Sequence, residues 1–167
     1  MAKNIVLDHN LQINHDTSKE EKYSNLLIQI KGLIEGENDL IANLSNILGT
    51  IKFATDYFWV GCYRVIDEEL ILGPFQGPVA CSRISKGKGV CGQAWIRKES
   101  LIVADVDAFP DHISCSSQTR SEIVVPVFNK AGEVVLIIDI DSDRLNDFSA
   151  IDKQFLEGVA SLLKEKV

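Results

Sequence analysis

Sulfur and carboxylate groups are the residues of this chain best suited to chemistry. Three of its four cysteines, Cys81, Cys91 and Cys115, fall within residues 80–126, in the stretches ACSRISKGKGVCGQAW and DVDAFPDHISCSSQTRSEIVVP. The fourth, Cys62, lies in an apolar run, the usual setting of an inert buried thiol. Zinc fits poorly, because closed zinc sites use tight pairs such as C-x2-C. Here Cys81 and Cys91 are ten residues apart, and Cys115 lies twenty-four further on. His112 and Cys115 form one H-x-x-C pair, too little for a closed site, and no metal ligand is assigned. Inert burial suits Cys115 badly, since His112, Ser114, Ser116, Ser117 and Gln118 around it are polar. Cys91 stands at the expected start of a helix, where backbone N–H groups and the dipole favour a thiolate. GKGVCG lacks the P-loop pattern and no nucleophile-elbow sequence accompanies His112, so phosphate cradling and Ser/His/Asp hydrolysis have little support. What remains is redox thiol chemistry. One thiolate attacks an oxidised sulfur, and a second thiol condenses with the resulting sulfenic acid to give a disulfide.

A strand expected over residues 133–141 adds acids. Its alternation sends Val134, Leu136, Ile138 and Ile140 to one face, towards the helices, and Glu133, Val135, Ile137, Asp139 and Asp141 to the other. Two carboxylates buried there without partners are costly. A cation, hydrogen bonds, water or a retained proton must compensate them. The plainer reading, which the residues alone favour, ends the sheet there and lets both reach solvent. Glu122, opening the preceding strand, is a third acid near the same place.

The elements that must position these groups follow from periodicity. Residues 1–17 show none and read as an extension. Ser18 and Glu21 resemble a capping box, after which Tyr23, Leu26, Leu27, Ile30, Leu33 and Ile34 form one helical stripe. Gly36 and Asn38 break it, and Leu40, Ile41, Leu44, Ile47, Leu48 and Ile51 form a second. Residues 57–66 turn aromatic and β-branched, with Tyr57, Trp59, Gly61 and Tyr63 on one face and Phe58, Val60 and Cys62 on the other. Residues 68–73 return as a hairpin that Gly73-Pro74 ends, and residues 79–84 give a third strand carrying Cys81. A short helix over 90–97, a strand over 101–104 and an irregular loop over 105–121 come next. Pro126, in a strand over 122–128, implies an edge or a bulge. Ser149 and Asp152 cap a last helix lined by Ile151, Phe155, Val159 and Leu162. Clustered strands with hairpin-length connections and helices on one face make an α+β domain with an antiparallel sheet.

Composition narrows the partners. A chain of 167 residues, 46% apolar and 25% charged, suits one globular domain. A net charge of −7 argues against nucleic acid, whose affinity comes from lysines and arginines neutralising phosphates. No apolar run approaches the roughly 18 residues of a membrane span. The polar N-terminus MAKNIVLDHNLQINHD does not read as a secretory signal. The expectation is therefore a cytoplasmic protein whose thiols are kept reduced. The first helical stripe could pair with a second copy as readily as with its own core, so a homodimer is left open.

Taken together, GPFQGPVACSRISKGKGVCGQAW, VADVDAFPDHISCSSQTRSEIVVPVF and VVLIIDIDSD resemble the free methionine-(R)-sulfoxide reductases, which are single GAF domains. The resemblance runs from about residue 23 to the C-terminus. It implies a GAF-like sheet over residues 18–167, with N-terminal and C-terminal helices on one face and the cysteine-bearing loop region on the other. It implies that Cys115 attacks the sulfoxide sulfur and that Cys81 resolves, forming a Cys81–Cys115 disulfide. Cys91 matches the third family cysteine. Glu122, Asp139 and Asp141 match acids that contact the substrate, and Trp59 and Tyr63 an aromatic wall. The implied reductant is thioredoxin, with no cofactor, and the R epimer is the implied substrate. GAF domains as a class bind small molecules, so a non-catalytic ligand or redox sensor is the competing implication. Two positions depart from the family pattern: Ser116 stands where many members have Asp, and Asp111 where Gly is common.

Overall fold

Each long helix begins where a side chain can satisfy its first free N–H groups. Ser18 Oγ accepts from the Glu21 N–H to open α1 (Lys19–Leu33). Asp39 does the same for α2 (Leu40–Ala54). After α3 (Gly89–Arg97), which has no side-chain cap, α4 (Ala150–Leu163) carries a reciprocal capping box of Ser149 and Asp152. The strands are β1 (Trp59–Ile66), β2 (Glu69–Gln76), β3 (Arg83–Ser85), β4 (Leu101–Val103), β5 (Ser121–Phe128) and β6 (Val134–Ser142). This computed structural model describes residues 11–13, 16–113 and 115–167. Among them the strands form one antiparallel sheet in the order β3-β2-β1-β6-β5-β4.

The sheet separates two cores. On one face α1, α2 and α4 bury Leu26, Ile30, Leu44, Ile51, Phe155 and Val159 against Val60, Cys62, Val125, Leu136, Ile138 and Ile140. A polar hub sits inside this layer. The Asp152 carboxylate accepts from Tyr23 Oη at 2.7 Å, Tyr57 Oη at 2.5 Å and Lys19 Nζ at 2.7 Å, locking α1 to α4. On the opposite face, α3 covers Trp59, Tyr63, Leu70, Val124 and Ile137 with Cys91, Ala94 and Trp95. No helix among the described residues is long and apolar enough to cross a membrane.

Several local expectations need correction. Tyr57 precedes β1 and packs on the helix face against Phe148, because its hydroxyl is held by Asp152. The strand β2 does not stop at Gly73-Pro74. Those two residues oppose Cys62 as a bulge and pairing continues to Gln76. Cys81 is not on a strand, since β3 begins at Arg83, two residues later. Val134 packs with the α3 layer and Val135 against the helices, because a register shift beside Phe128 inverts the alternation there. Pro126 lies in an interior strand, but β4 pairs only with Glu122, Ile123 and Val124. No ladder partner therefore flanks Pro126 on that side, and an edge-like position survives locally. The loop after β4 holds a short 3-10 turn, Val106–Ala108, and is tied down where the Val106 N–H donates to the Arg120 carbonyl. Of the extension expected over residues 1–17, residues 1–10, 14 and 15 lie outside the described residues. Gln12 exchanges hydrogen bonds with Gln29 of α1.

Candidate functional site

Strand register assembles the acids. Trp59 of β1, Asp141 of β6 and Glu122 of β5 are cross-strand neighbours in one row. Gly61, Asp139 and Val124 form the next. Directly opposed side chains on one face have Cβ atoms roughly 5 Å apart. Glu122 and Asp141 are therefore like charges at close quarters, with Asp139 beside them. Tyr63, two residues along β1 from Gly61, shares this face. The far wall comes from α3. Cys91, in its first turn, places Sγ 3.9 Å from Glu122 Oε1.

Backbone glycines set the aromatic wall. A Cβ on Gly61 would lie 2.2 Å from the Trp59 ring, and one on Gly77, where φ is +144°, 2.5 Å from it. The Trp59 ring lies over this space, stacked on Phe75 at 5.5 Å and beside Tyr63 at 6.2 Å. Its indole N–H donates to the Pro78 carbonyl at 3.0 Å, which fixes its tilt. Phe75 backs the Trp59 ring without lining the cavity, a supporting role that sequence reasoning missed. The signal was present in GPFQGP, but its place beside Trp59 depends on the Gly73-Pro74 bulge.

The cysteine loop closes the site. Cys115 is disulfide-bonded to Cys81, with Cα atoms 5.3 Å apart, within the usual range. Cys62 and Cys91 are free thiols, both buried. Beneath the loop lies a cavity of about 40 Å³, lined by Trp59, Tyr63, Cys91, Cys115, Glu122, Asp139 and Asp141. That volume has room for an ion or ordered water. His112, noted in the sequence only as a neighbour of Cys115, also lines it, as do Lys88 and Thr119, which went unnoticed because nothing in the sequence ties them to the acids. Asp111 adopts φ +57°, the left-handed region that glycine enters most easily.

The electrostatics overturn two expectations. Asp139 does not reach solvent, and it and Glu122 are each 6% exposed, whereas Asp141 is half-buried and keeps part of its exposure. The polypeptide continues past Asp141 into Ser142 and the turn before α4, and the loop after β4 and α3 cover the strand end. Burial, then the charges of Asp139 and Asp141, pushes the Glu122 carboxyl well above the usual carboxylate range. Asp141 is pushed well up by burial and then by Asp139. Burial raises Asp139 to about 6, with interactions from Cys91 and Glu122 holding it lower than its neighbours. Cys91 is not a stabilised thiolate. Burial, followed by the negative charges of Asp139, Glu122 and Asp141, pushes its thiol well up and outweighs the field of a short helix. Cys62, on the other face of the sheet, is raised by burial to about 12 and is inert.

Among the described residues metal ligation has one geometric opening, and it differs from the cysteine set considered above. Ligand atoms of Cys91, Glu122 and Asp139 all lie within 4.8 Å of one another. A groove of about 420 Å³ beside α4, bordered by Lys98, Phe128 and Lys164, shares none of the site residues.

Comparison with known proteins agrees with this architecture. Residues 39–164 match the family model described as GAF domain. The chain is 54% identical over 147 residues to GAF domain-containing protein A of Dictyostelium discoideum, covering 87% of this chain and 92% of that protein. It is 41% identical to the free methionine-R-sulfoxide reductase of Saccharomyces cerevisiae, covering 99% of this chain and 97% of the relative. The structure superposes with a TM-score of 0.91 on the free methionine-R-sulfoxide reductase of Neisseria meningitidis, solved in complex with its substrate. The two are 44% identical, with 95% of each chain covered.

Proposed function

Because this chain belongs to the GAF domain family, and within it to the free methionine-R-sulfoxide reductases, we propose that it reduces free L-methionine (R)-sulfoxide to L-methionine in the cytoplasm. The observation that carries this reading is the convergence of Cys115, the buried acids Glu122 and Asp139, the half-buried Asp141 and two aromatic rings on one small cavity.

Cys115, as thiolate, attacks the sulfoxide sulfur. An S–S bond forms to the sulfoxide sulfur as its oxygen takes up a proton. That hydroxyl is then replaced on the substrate sulfur and a hydroxyl bonds to the Cys115 sulfur. The S–S bond breaks with its electron pair going to methionine, and Cys115 is left as a sulfenic acid. The Cys81 thiol then displaces water from that sulfur and the Cys81–Cys115 disulfide forms. Two electrons have passed from two thiols to the sulfoxide. A thioredoxin dithiol returns them by exchange, so no bound cofactor is needed.

The acids divide the remaining work by their proton affinities. Three carboxyls in one dry patch cannot all ionise, and Asp139 gives up its proton most readily. An ionised Asp139 binds the substrate ammonium, which only a free amino acid carries. A protonated Glu122 or Asp141 donates to the leaving oxygen. Trp59 and Tyr63 hold the thioether carbons, and the first-turn N–H groups of α3 face the substrate carboxylate. Cys91 serves as an alternative thiol or a substrate contact. The Cys115 loop must carry its thiol first to the substrate and then to Cys81, and reduction of the disulfide releases it for the next turnover.

We also propose a homodimer. The α1 stripe is consumed by its own core, but Ile28 and Phe53 remain 71% and 70% exposed on the helix layer. Sedimentation tests this, and a monomer at working concentrations removes it. The decisive assay for the function follows NADPH consumption through thioredoxin reductase and thioredoxin, with each epimer of the free sulfoxide. Ligand binding without NADPH consumption would make the chain a sensor instead.

A further inference from the structure

The cluster of Cys91, Glu122 and Asp139 has the composition of a metal site as well as that of an ammonium site. Its three donors come from α3, β5 and β6, so packing and sheet register hold them in place. Their ligand atoms lie within 4.8 Å of one another. A second observation points to a missing ligand. Oδ1 of Asp139 is buried and has no hydrogen-bond partner among the described residues, although the side chain is only 6% exposed. Such an atom is costly to leave alone in a low-dielectric site.

We propose that Cys91, Glu122 and Asp139 bind a borderline-soft divalent cation such as zinc or cadmium. One thiolate and two carboxylates are a three-ligand set that leaves a fourth position for water, and the adjoining 40 Å³ cavity has room for it. The sulfur excludes magnesium and calcium, which take all-oxygen sites. Binding releases the Cys91 proton and any proton shared by the two carboxyls to solvent, so affinity rises with pH. The site exists in the oxidised protein, because the disulfide engages Cys81 and Cys115 and leaves Cys91 free. An ion there occupies the carboxylates that would receive a substrate ammonium. That inhibitory consequence rests on the function proposed above, but the binding itself does not.

The test uses the full chain with its disulfide intact, titrated with cadmium nitrate in a chloride-free, non-coordinating buffer. Thiolate-to-cadmium charge transfer is read in the ultraviolet. The expected result is saturation at one ion per chain, with no band in Cys91→Ala or Cys91→Ser and an unchanged band in Cys62→Ser. Glu122→Gln and Asp139→Asn should each weaken binding by about tenfold or more, at least the effect of losing an outer partner of a metal ligand. Absence of a saturating band in the parent chain overturns the site. So does a band of full strength in either Cys91 variant, with far-ultraviolet circular dichroism used to establish that the variant is folded. No substrate is present, so a chain that binds cadmium this way yet reduces no sulfoxide would retain the site and lose the enzyme.

Discussion

Replacing Asp139 with Asn should stabilise the fold while crippling the enzyme. The carboxyl rises from the ordinary 3.8 to about 6 on folding, chiefly by burial. At pH 8 the group is ionised in both folded and unfolded chains. At 1.36 kcal/mol per pH unit, that rise makes the ionised side chain unfavourable by about 3 kcal/mol. The sign follows from the direction of the shift. A carboxyl with a raised folded pKa favours folding fully only below the unfolded value, and that advantage is lost as pH rises through about 6. Neutral Asn never ionises, so the variant should gain about 3 kcal/mol at pH 8 and about half as much at pH 5. For a chain of this size the gain at pH 8 is a melting temperature about 6–12 °C higher. Urea denaturation at the two pH values reads the free energy. The coupled assay should show KM for the free sulfoxide raised or kcat lowered. A stability change that is the same at pH 5 and pH 8 would refute the idea that a buried ionised carboxylate is maintained for function.

Three further outcomes follow from the same geometry. Gly61→Ala places a methyl against the Trp59 ring and should cost about 1–3 kcal/mol of stability. KM should rise by roughly tenfold, equivalent to about 1.4 kcal/mol of lost wall contact; an unchanged KM would remove Trp59 from the substrate wall. Asp152→Ala strips the carboxylate from Tyr23, Tyr57 and Lys19 and should destabilise by about 3 kcal/mol, measured by denaturant, with kcat preserved. Burial alone would raise the Asp152 carboxyl, but the hydrogen bonds from Lys19, Tyr57 and Tyr23 hold it below its usual value. Its contribution is therefore present above the ordinary carboxylate range and fades as pH falls through that lower value. Finally, N-acetyl methionine sulfoxide lacks the ammonium and should lose about 100-fold or more in kcat/KM, as a buried charge left without its partner does.

The layered α+β plan was legible because α1, α2 and α4 each bury one stripe, while β1 and β6 are apolar over most of their length and buried on both faces. Ser18, Ser149 and Asp152 announced their helix ends through the same chemistry that caps them. The misreadings fall where a local rule was overruled by something distant in sequence. Gly73-Pro74 ordinarily ends a strand, but pairing with β1 absorbs it as a bulge. Cys91 at a helix start looks like a thiolate until β5 and β6 bring three acids against it. Asp139 looked like part of a solvated strand end because no sequence signal reveals that α3 and the loop after β4 cover it; Asp141 keeps partial exposure. Their alignment with Trp59 and Glu122 is a matter of register, which alternation within one strand does not reveal.

The most direct test of the central claim is an anaerobic single turnover. Fully reduced protein is mixed with one equivalent of free methionine (R)-sulfoxide, quenched, alkylated and peptide-mapped. If Cys115 attacks and Cys81 resolves, one equivalent of methionine should appear with one equivalent of Cys81–Cys115 disulfide. Cys115→Ser should form neither, and Cys81→Ser should form methionine without that disulfide. A full equivalent of methionine from Cys115→Ser would contradict the assignment.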